Sequence, residues 1–156
     1  MRVHLCAVGR LRGGPEADLI SDYMTRFDRT GRALGLGPLS IVEVEDRKGG
    51  GMGAEAELLR RAVPKGAVIC CLDERGKVEA SPAFANRLAG WRDTGRSDVA
   101  FVIGGADGLD PGLLREADHL LSFGAMVWPH MLARVMLTEQ LYRAASILAG
   151  SPYHRV

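Results

Sequence analysis

The sequence has few cysteines and no long apolar run. Only three of its 156 residues are cysteines, an odd number that supplies no disulfide framework. Neighbouring residues of a strand point to opposite faces, so Cys70 and Cys71 are poorly placed to share a metal, and we expect buried free thiols in a reducing cytoplasm. The longest uncharged run, residues 119–133, is shorter than the roughly 20 residues that cross a bilayer, and the apolar start of the chain is too short for a signal peptide. We therefore expect a soluble, cytoplasmic protein with no metal and no membrane partner.

The sequence also lacks a large excess of charge of either sign. It has 20 lysines and arginines against 19 aspartates and glutamates, a formal net charge of +1. This balance excludes a protein whose whole surface attracts nucleic acid, although a local basic patch remains compatible with it. Residues 98–128 contain five acidic side chains and one basic one, so an acidic stretch lies within an otherwise mildly basic chain.

Glycine is the residue in excess. The chain has 20 glycines, about 13% of its residues, where about 7% is ordinary. Because 47% of the residues are apolar, we interpret the glycines as tight backbone turns in one folded domain, 1–156, rather than as a sign of disorder.

Apolar runs typical of strands alternate with helical patterns, which predicts an α/β domain with a mostly parallel sheet. A turn is predicted at 73–77, and Ser81 and Asp110, each followed by proline, are expected to cap helices. The predicted strands are 2–8, 39–44, 67–72, 99–103 and 119–122; the predicted helices begin at about 15 and span about 54–63, 81–94, 111–117 and 129–148.

The last predicted helix is apolar on nearly all sides, because its large apolar side chains do not fit on one stripe. One face can pack on the sheet of its own chain. The other face favours a partner subunit, most simply a twofold copy of the same chain. Burial of the whole helix within one domain remains the alternative.

A glycine turn at 104–108 follows a predicted buried strand, where open α/β sheets place their ligands. Two adjacent glycines let a ligand approach the backbone closely. The pattern is GGxxG rather than GxGxxG, and Asp107, Asp110 and Asp118 nearby would repel a pyrophosphate, so a cationic or neutral ligand suits this stretch better. The alternative is a tight turn with no ligand.

Two further segments are unusual. The loop 123–130 is apolar yet contains glycine and proline, so its backbone groups bond either to a small molecule or to residues beneath the last helix. At the end of the chain, Tyr153, His154 and Arg155 place an aromatic ring, an imidazole and a cation in succession, a set that could contact RNA or could be frayed surface residues.

Four motifs in combination resemble one known family. They are GGADGL at 104–109, the loop ending in WPH at 128–130, EQLYRA at 139–144 with Arg134 before it, and PYHR at 152–155. Together they closely resemble the bacterial RlmH family, small SPOUT-class methyltransferases that act on a pseudouridine of the large-subunit ribosomal RNA. The resemblance covers the whole chain, and the Tyr-His-Arg ending is its most specific part.

The resemblance implies a SPOUT-type sheet with helices on both faces, a C-terminal trefoil knot and S-adenosylmethionine bound within that knot. It also implies a homodimer formed through the knot and the last helix, which would account for the second apolar face of that helix. By position, the cofactor site would comprise Leu72, Gly104, Gly105, Phe123, Gly124, Ala125, Met126, Val127 and Trp128.

The implied reaction is methylation of N3 of a pseudouridine in 23S ribosomal RNA of the assembled ribosome. His154 is the candidate for contacting or deprotonating the base, and Tyr153 for stacking on it. Arg155, Arg134 and Arg143 are candidates for holding RNA. We expect the tail of one subunit to complete the active site of the other.

Two alternatives belong to other classes of protein. One is a nucleotide-binding oxidoreductase that uses the Gly-Gly turn, and the other is a ribosome-binding dimer without enzymatic activity. Neither accounts for the turn, the apolar loop and the tail together. The low net charge further predicts that activity on the ribosome depends comparatively little on salt.

Overall fold

The computed structural model describes residues 1–155, which form a five-stranded parallel sheet with helices on both faces. The strands are β1 (Arg2–Val8), β2 (Leu39–Val44), β3 (Val68–Val78), β4 (Asp98–Ile103) and β5 (His119–Ser122). The helices are α1 (Pro15–Gly31), α2 (Gly51–Ala62), α3 (Ser81–Asp93), α4 (Pro111–Glu116) and α5 (His130–Leu148). The strand order is β2-β1-β4-β3-β5, and every neighbouring pair is parallel. These findings confirm the predicted α/β sheet.

Two apolar layers enclose the sheet. Helices α1, α3 and α5 cover one face, where Phe27, Phe84 and Leu137 pack on alternate residues of β1 and β4. Helices α2 and α4 cover the other face through Leu59 and Leu113. All six residues of β4 are buried because it lies in the middle of the sheet with both faces covered, which is why its sequence is a continuous apolar run after its first residue.

The three cysteines are free and buried, as the sequence predicts. Cys70 packs in the layer with α1, α3 and α5, whereas Cys6 and Cys71 lie in the opposite layer. Burial raises the pKa of the Cys6 thiol to about 11 and that of Cys71 to about 12. The thiols are therefore protonated at neutral pH and serve as small apolar side chains.

The prediction of a turn at 73–77 is wrong. Strand β3 continues to Val78, but its pairing with β5 shifts register between Leu72 and Lys77. The polar residues in this interval suggested a turn, and the backbone N–H of Arg75 does bond to Asp73 Oδ1 at 2.9 Å as in a local turn. The extension packs closely on β5, because a Cβ on Gly76 would lie 2.7 Å from the Leu120 carbonyl carbon.

Two predicted helix starts differ from the structure. Helix α2 begins at Gly51, three residues earlier than expected. Ser81 does not cap α3: its hydroxyl donates to Oε1 of Gln140 at 2.7 Å, across the space between α3 and α5. Asp110 does cap α4, since its carboxylate accepts the Gly112 N–H at 2.9 Å.

Helix α5 packs between α1 and α3, with Leu137 and Leu141 fully buried. Beside it runs an open groove of about 380 Å³, which we call the α5 groove. Its walls are mostly apolar and include Leu19, Tyr23, Val78, Phe123, Val135 and Met136. The second apolar side of α5 is thus left uncovered within the described residues of this chain.

Candidate active site

A pocket of about 400 Å³ opens at the carboxyl end of the sheet. Since β3, β4 and β5 are parallel, the segments that follow their carboxyl ends meet at one edge. The pocket is lined by Leu72, by the turn 103–109, and by the loop after β5 together with His130. Eight of the nine predicted cofactor residues lie here; Ala125 is exposed and does not line the pocket. The lining loop residues are Phe123, Gly124, Met126, Val127 and Trp128.

The Gly104–Gly105 turn admits no side chain. A Cβ on Gly104 would lie 2.5 Å from the Gly108 carbonyl oxygen, and one on Gly105 would lie 3.2 Å from Val8 Cγ1. The turn is closed by a hydrogen bond of 3.1 Å from the Gly108 N–H to the Gly105 carbonyl. Gly108 has a φ of 79°, which favours glycine. The pocket therefore has a wall of bare backbone that a ligand can approach closely.

The loop after β5 is attached at its base and exposed at its tip. The Ser122 hydroxyl accepts the Gly124 N–H at 3.0 Å and lies 3.1 Å from the Glu74 carbonyl, so the loop is tied to the β3 extension. Met126 and Val127 are 73% and 83% exposed. Apolar side chains so exposed mark a surface that gains stability when a ligand or a second chain covers it.

Acidic groups lie on one side of the pocket. The Arg75 guanidinium, bonded to Asp73 at 2.8 Å, holds the pKa of that carboxyl below its usual range. Burial, followed by the charges of Asp107 and Asp46, raises the pKa of Glu55. A Cβ on Gly105 would lie 3.3 Å from Glu55 Oε2, so this carboxyl borders the turn. The excess of negative charge suits a cationic or neutral ligand better than a phosphate.

The C-terminal tail folds back on α5 of its own chain. The Tyr153 hydroxyl donates to Glu139 Oε1 at 2.9 Å, and the Tyr153 ring lies 4.5 Å from that of Tyr142. Arg143 Nη1 lies 3.4 Å from His154 Nδ1. Arg155 is exposed. The structure thus brings Tyr153 and His154 together with Arg143.

Two features define the chemistry of this cluster. Burial and the neighbouring Glu139 carboxylate raise the pKa of Tyr153 far above its ordinary value, so its hydroxyl remains a hydrogen-bond donor at neutral pH. The Arg143 guanidinium is bound to Glu139 at 2.6 Å and lies over the Tyr153 ring. In this arrangement Arg143 organises the tail, and its predicted contact with RNA remains a prediction.

The structure corrects the expectation that Arg134 holds RNA. Arg134 is 1% exposed and therefore cannot reach a ligand on the surface. Its guanidinium pairs with Glu43 at 2.8 Å and donates to the carbonyls of Val8 and Gly9 at 2.9 and 2.8 Å. Arg134 instead attaches the first turns of α5 to the carboxyl ends of β1 and β2.

The predicted catalytic tail and the predicted cofactor pocket are separate within one chain. Among the described residues, none from 150 to 155 lines the pocket. The α5 groove is the neighbouring space, since Leu121 and Phe123 line both. The sequence reasoning gave no role to Glu139, although its spacing of four from Arg143 on a helix indicates an ion pair. It also missed Asp73 and Arg75 at the rim of the pocket.

The family model described as "Predicted SPOUT methyltransferase" matches residues 1–154. The chain belongs to the SPOUT methyltransferase family. A curated relative from Dinoroseobacter shibae is 76% identical over 156 residues, and one from Ruegeria pomeroyi is 75% identical over 156 residues, each covering 100% of both chains. Both are named ribosomal RNA large subunit methyltransferase H. Within the SPOUT methyltransferases, this chain therefore belongs to the RlmH family, as the resemblance indicated.

Two solved structures share the fold of this chain. A probable methyltransferase from Bordetella pertussis has a TM-score of 0.53 and 16% identity, covering 92% of this chain and 96% of that one. A probable methylase family protein from Haemophilus influenzae has a TM-score of 0.52 and 15% identity, covering 99% of this chain and 70% of that one. At such identities the likeness concerns the fold alone.

Neither a metal site nor a membrane-spanning helix is found among the described residues, 1–155. No group of three or more histidine, cysteine, aspartate or glutamate side chains is placed to hold a metal ion. No described helix has the length and apolar character needed to cross a membrane.

Proposed function

We propose that this SPOUT methyltransferase transfers a methyl group from S-adenosylmethionine to N3 of a pseudouridine in 23S ribosomal RNA of the assembled ribosome. The observation that carries the proposal is the backbone-walled pocket at the carboxyl end of the sheet, in a chain that shares 76% identity with a relative named as a methyltransferase of the large-subunit ribosomal RNA. A ribosomal substrate places the protein in the cytoplasm.

The residues of the pocket fit S-adenosylmethionine in three respects. Gly104 and Gly105 line the pocket with backbone alone, and Phe123, Met126 and Trp128 offer apolar contacts to an adenine ring. The acidic side near Glu55 suits the positive sulfonium. When bound, this cofactor supplies an electrophilic methyl group. Leu72 and the loop 123–128 would hold the remainder of the molecule.

The residues of the tail are suited to orient the base and to manage its proton. The N3 imide proton of pseudouridine must leave before or during methyl transfer, and His154 is the group we assign to contacting or deprotonating the base. Tyr153 stays protonated, so it would stack or donate rather than accept the proton. Holding N3 in line with the methyl group is the main contribution expected of such a two-substrate site.

A homodimer would bring the tail of one subunit to the pocket of the other. The tail does not line the pocket of its own chain, and the uncovered α5 groove is adjacent to that pocket. Leu19, Val78 and Leu132 near or in this groove are at least 40% exposed, as expected for an apolar surface that a second copy covers. The C-terminal knot expected of the family belongs to the same proposal.

Exposed cations beside the pocket, rather than Arg134, would contact the RNA. Arg10 and Arg12 follow β1, and Arg47 and Lys48 follow β2, at the same edge of the sheet as the Gly104 turn. Arg10 and Arg47 are 54% and 76% exposed. Arginine and lysine side chains at this edge can reach phosphates without entering the acidic pocket.

The proposal is tested by methyl transfer with labelled S-adenosylmethionine to free 23S RNA, isolated large subunits and whole ribosomes that contain the pseudouridine. We expect transfer to whole ribosomes, located at N3 by mass spectrometry, and only a shallow fall in rate as salt rises. Absence of transfer at a saturating concentration of cofactor would refute the activity. Ribosome binding without transfer would instead support the non-enzymatic dimer, and calorimetric binding of NAD in place of S-adenosylmethionine would refute the cofactor.

A further inference from the structure

One carboxylate, that of Glu139 on α5, connects the helix with the C-terminal tail. Its Oε1 atom accepts from Nε and Nη2 of Arg143 at 3.0 and 2.6 Å and from the Tyr153 hydroxyl at 2.9 Å. Its Oε2 atom accepts from Gln140 Nε2 at 2.9 Å. Four hydrogen bonds thus reach this one carboxylate, and three of them converge on Oε1. The side chain is 16% exposed, which strengthens each bond relative to one in bulk water.

Glu139 is linked to His154 through Arg143 and Tyr153. Arg143, held by Glu139, lies 4.8 Å over the ring of Tyr153 and places Nη1 3.4 Å from His154 Nδ1. Tyr153, also held by Glu139, packs its ring against Tyr142. Tyr153, which precedes His154, and Arg143, which lies beside it, are thus both hydrogen-bonded to Glu139. No backbone hydrogen bond is found for the N–H groups of Tyr153 and His154 among the described residues, so these side chains carry the attachment.

The other end of the network is fixed to the body of the fold. Gln140 donates to Glu139 and accepts from the Ser81 hydroxyl at 2.7 Å, and Ser81 is the first residue of α3. The network therefore runs from α3 through α5 to the tail along the α5 groove, which Ser81, Glu139 and Gln140 all line. A tail that is anchored in this way has a defined direction where it leaves the helix.

We propose that Glu139 is the positioning residue of the catalytic tail, acting on His154 through Arg143 and Tyr153. An exposed ion pair on a helix contributes little and needs no third partner. Here the same carboxylate oxygen accepts from a second residue 14 positions along the chain, and that residue precedes the group assigned to the base. The proposal rests on the proposed function only for the catalytic assignment of His154; the attachment of the tail is independent of it.

The test compares Glu139→Gln and Glu139→Asp in the full chain, with Glu116→Gln as a control that removes a carboxylate paired with an arginine, Arg60, on the other face of the sheet. We expect Glu139→Gln to lower kcat for methyl transfer by about a hundredfold, since small displacements of reacting groups cost that much. The dissociation constant for S-adenosylmethionine should stay within about twofold of wild type. Glu139→Asp, which keeps the charge for Arg143, should recover part of the rate, and Glu116→Gln should match wild type.

NMR order parameters give the second readout, which needs no activity. In wild type the amides of 153–155 should resemble those of α5, and in Glu139→Gln they should fall below about 0.6. Tyr153→Phe, which removes only the hydroxyl, should give a rate between those of wild type and Glu139→Gln. The double variant of Glu139→Gln and Tyr153→Phe should be no slower than Glu139→Gln alone, because both changes break the same network. Tyr153→Phe also provides the test if Glu139→Gln does not fold.

Three outcomes would overturn the proposal: an ordered tail with a wild-type rate, an ordered tail with a reduced rate, or a loss of cofactor affinity that matches the loss of rate. If wild type itself transfers no methyl group, the proposed function fails, and the order parameters still decide whether Glu139 holds the tail.

Discussion

The pocket at the carboxyl end of the sheet and the tail cluster on α5 are built in different ways. One wall of the pocket is bare backbone, in which Gly104, Gly105 and Gly108 matter because they have no side chain. The tail cluster consists of the side chains of Arg143, Tyr153 and His154 and centres on the single carboxylate of Glu139. A backbone-walled site is vulnerable where a side chain is added, whereas a side-chain cluster is vulnerable where one is removed. The two regions therefore predict opposite patterns of sensitivity to substitution.

The largest effect is expected in the tail. His154→Ala should lower the rate of methyl transfer by about 10²- to 10⁴-fold, the usual contribution of a positioned acid or base. Cofactor affinity, measured by calorimetry, should be unchanged because the tail does not line the pocket of its own chain. A parallel loss of affinity would show that the tail also binds the cofactor, and it would contradict the separate roles of tail and pocket.

Arg134 attaches the first turns of α5 to the carboxyl ends of β1 and β2, so its removal should affect the whole fold. Arg134→Met breaks an ion pair between a buried arginine and the partly exposed Glu43, and it leaves the carbonyls of Val8 and Gly9 without a donor. We expect the free energy of unfolding to fall by about 3 kcal/mol, measured by urea denaturation. Arg61→Met, which changes an exposed arginine of α2, is the matched control and should leave the midpoint unchanged. Equal midpoints for the two variants would contradict the structural role.

In the pocket, an added methyl group should be sufficient to disturb binding. Gly104→Ala would place its Cβ 2.5 Å from the Gly108 carbonyl oxygen, so the turn must open. Overpacking of this kind costs about 1–3 kcal/mol, which corresponds to roughly 5- to 150-fold in affinity for S-adenosylmethionine. Gly90→Ala in α3, where no atom lies within 4 Å of the added Cβ, is the control. Calorimetry that finds equal affinities for the two variants would refute the backbone-walled site.

The smallest effect concerns a charge that borders the glycine turn of the pocket. Glu55→Gln should weaken binding of S-adenosylmethionine about fivefold, as expected for loss of roughly 1 kcal/mol of attraction to a partly solvated sulfonium. S-adenosylhomocysteine, which has a neutral sulfur, should be affected less. In wild type, the raised pKa of Glu55 means that it protonates at a higher pH than an ordinary carboxyl. The preference for the sulfonium should therefore be present at neutral pH and decline as the pH falls into the mildly acidic range.

The contrast also explains which features the sequence could predict. The glycine turn and the apolar loop are local patterns, and their residues do line the pocket. Arg134 could not be placed correctly, because its partner Glu43 lies 91 residues away and a lone arginine in a helix gives no sign of burial. The β3 extension was missed for a similar reason: its polar residues are typical of a turn, and only packing on β5 keeps the segment extended.

The buried cysteines make the chain convenient for site-directed chemistry. The thiolate is the reactive form of cysteine, and burial raises the pKa of all three native thiols well above neutrality. A fourth cysteine introduced at an exposed position should therefore be alkylated selectively, without removal of the native ones. With Arg155→Cys on the tail and Val127→Cys at the pocket rim, an oxidant or a short bifunctional reagent would report whether the two sites meet across subunits. The three native thiols are unreactive and have no part in the chemistry, so they would not interfere with this crosslinking.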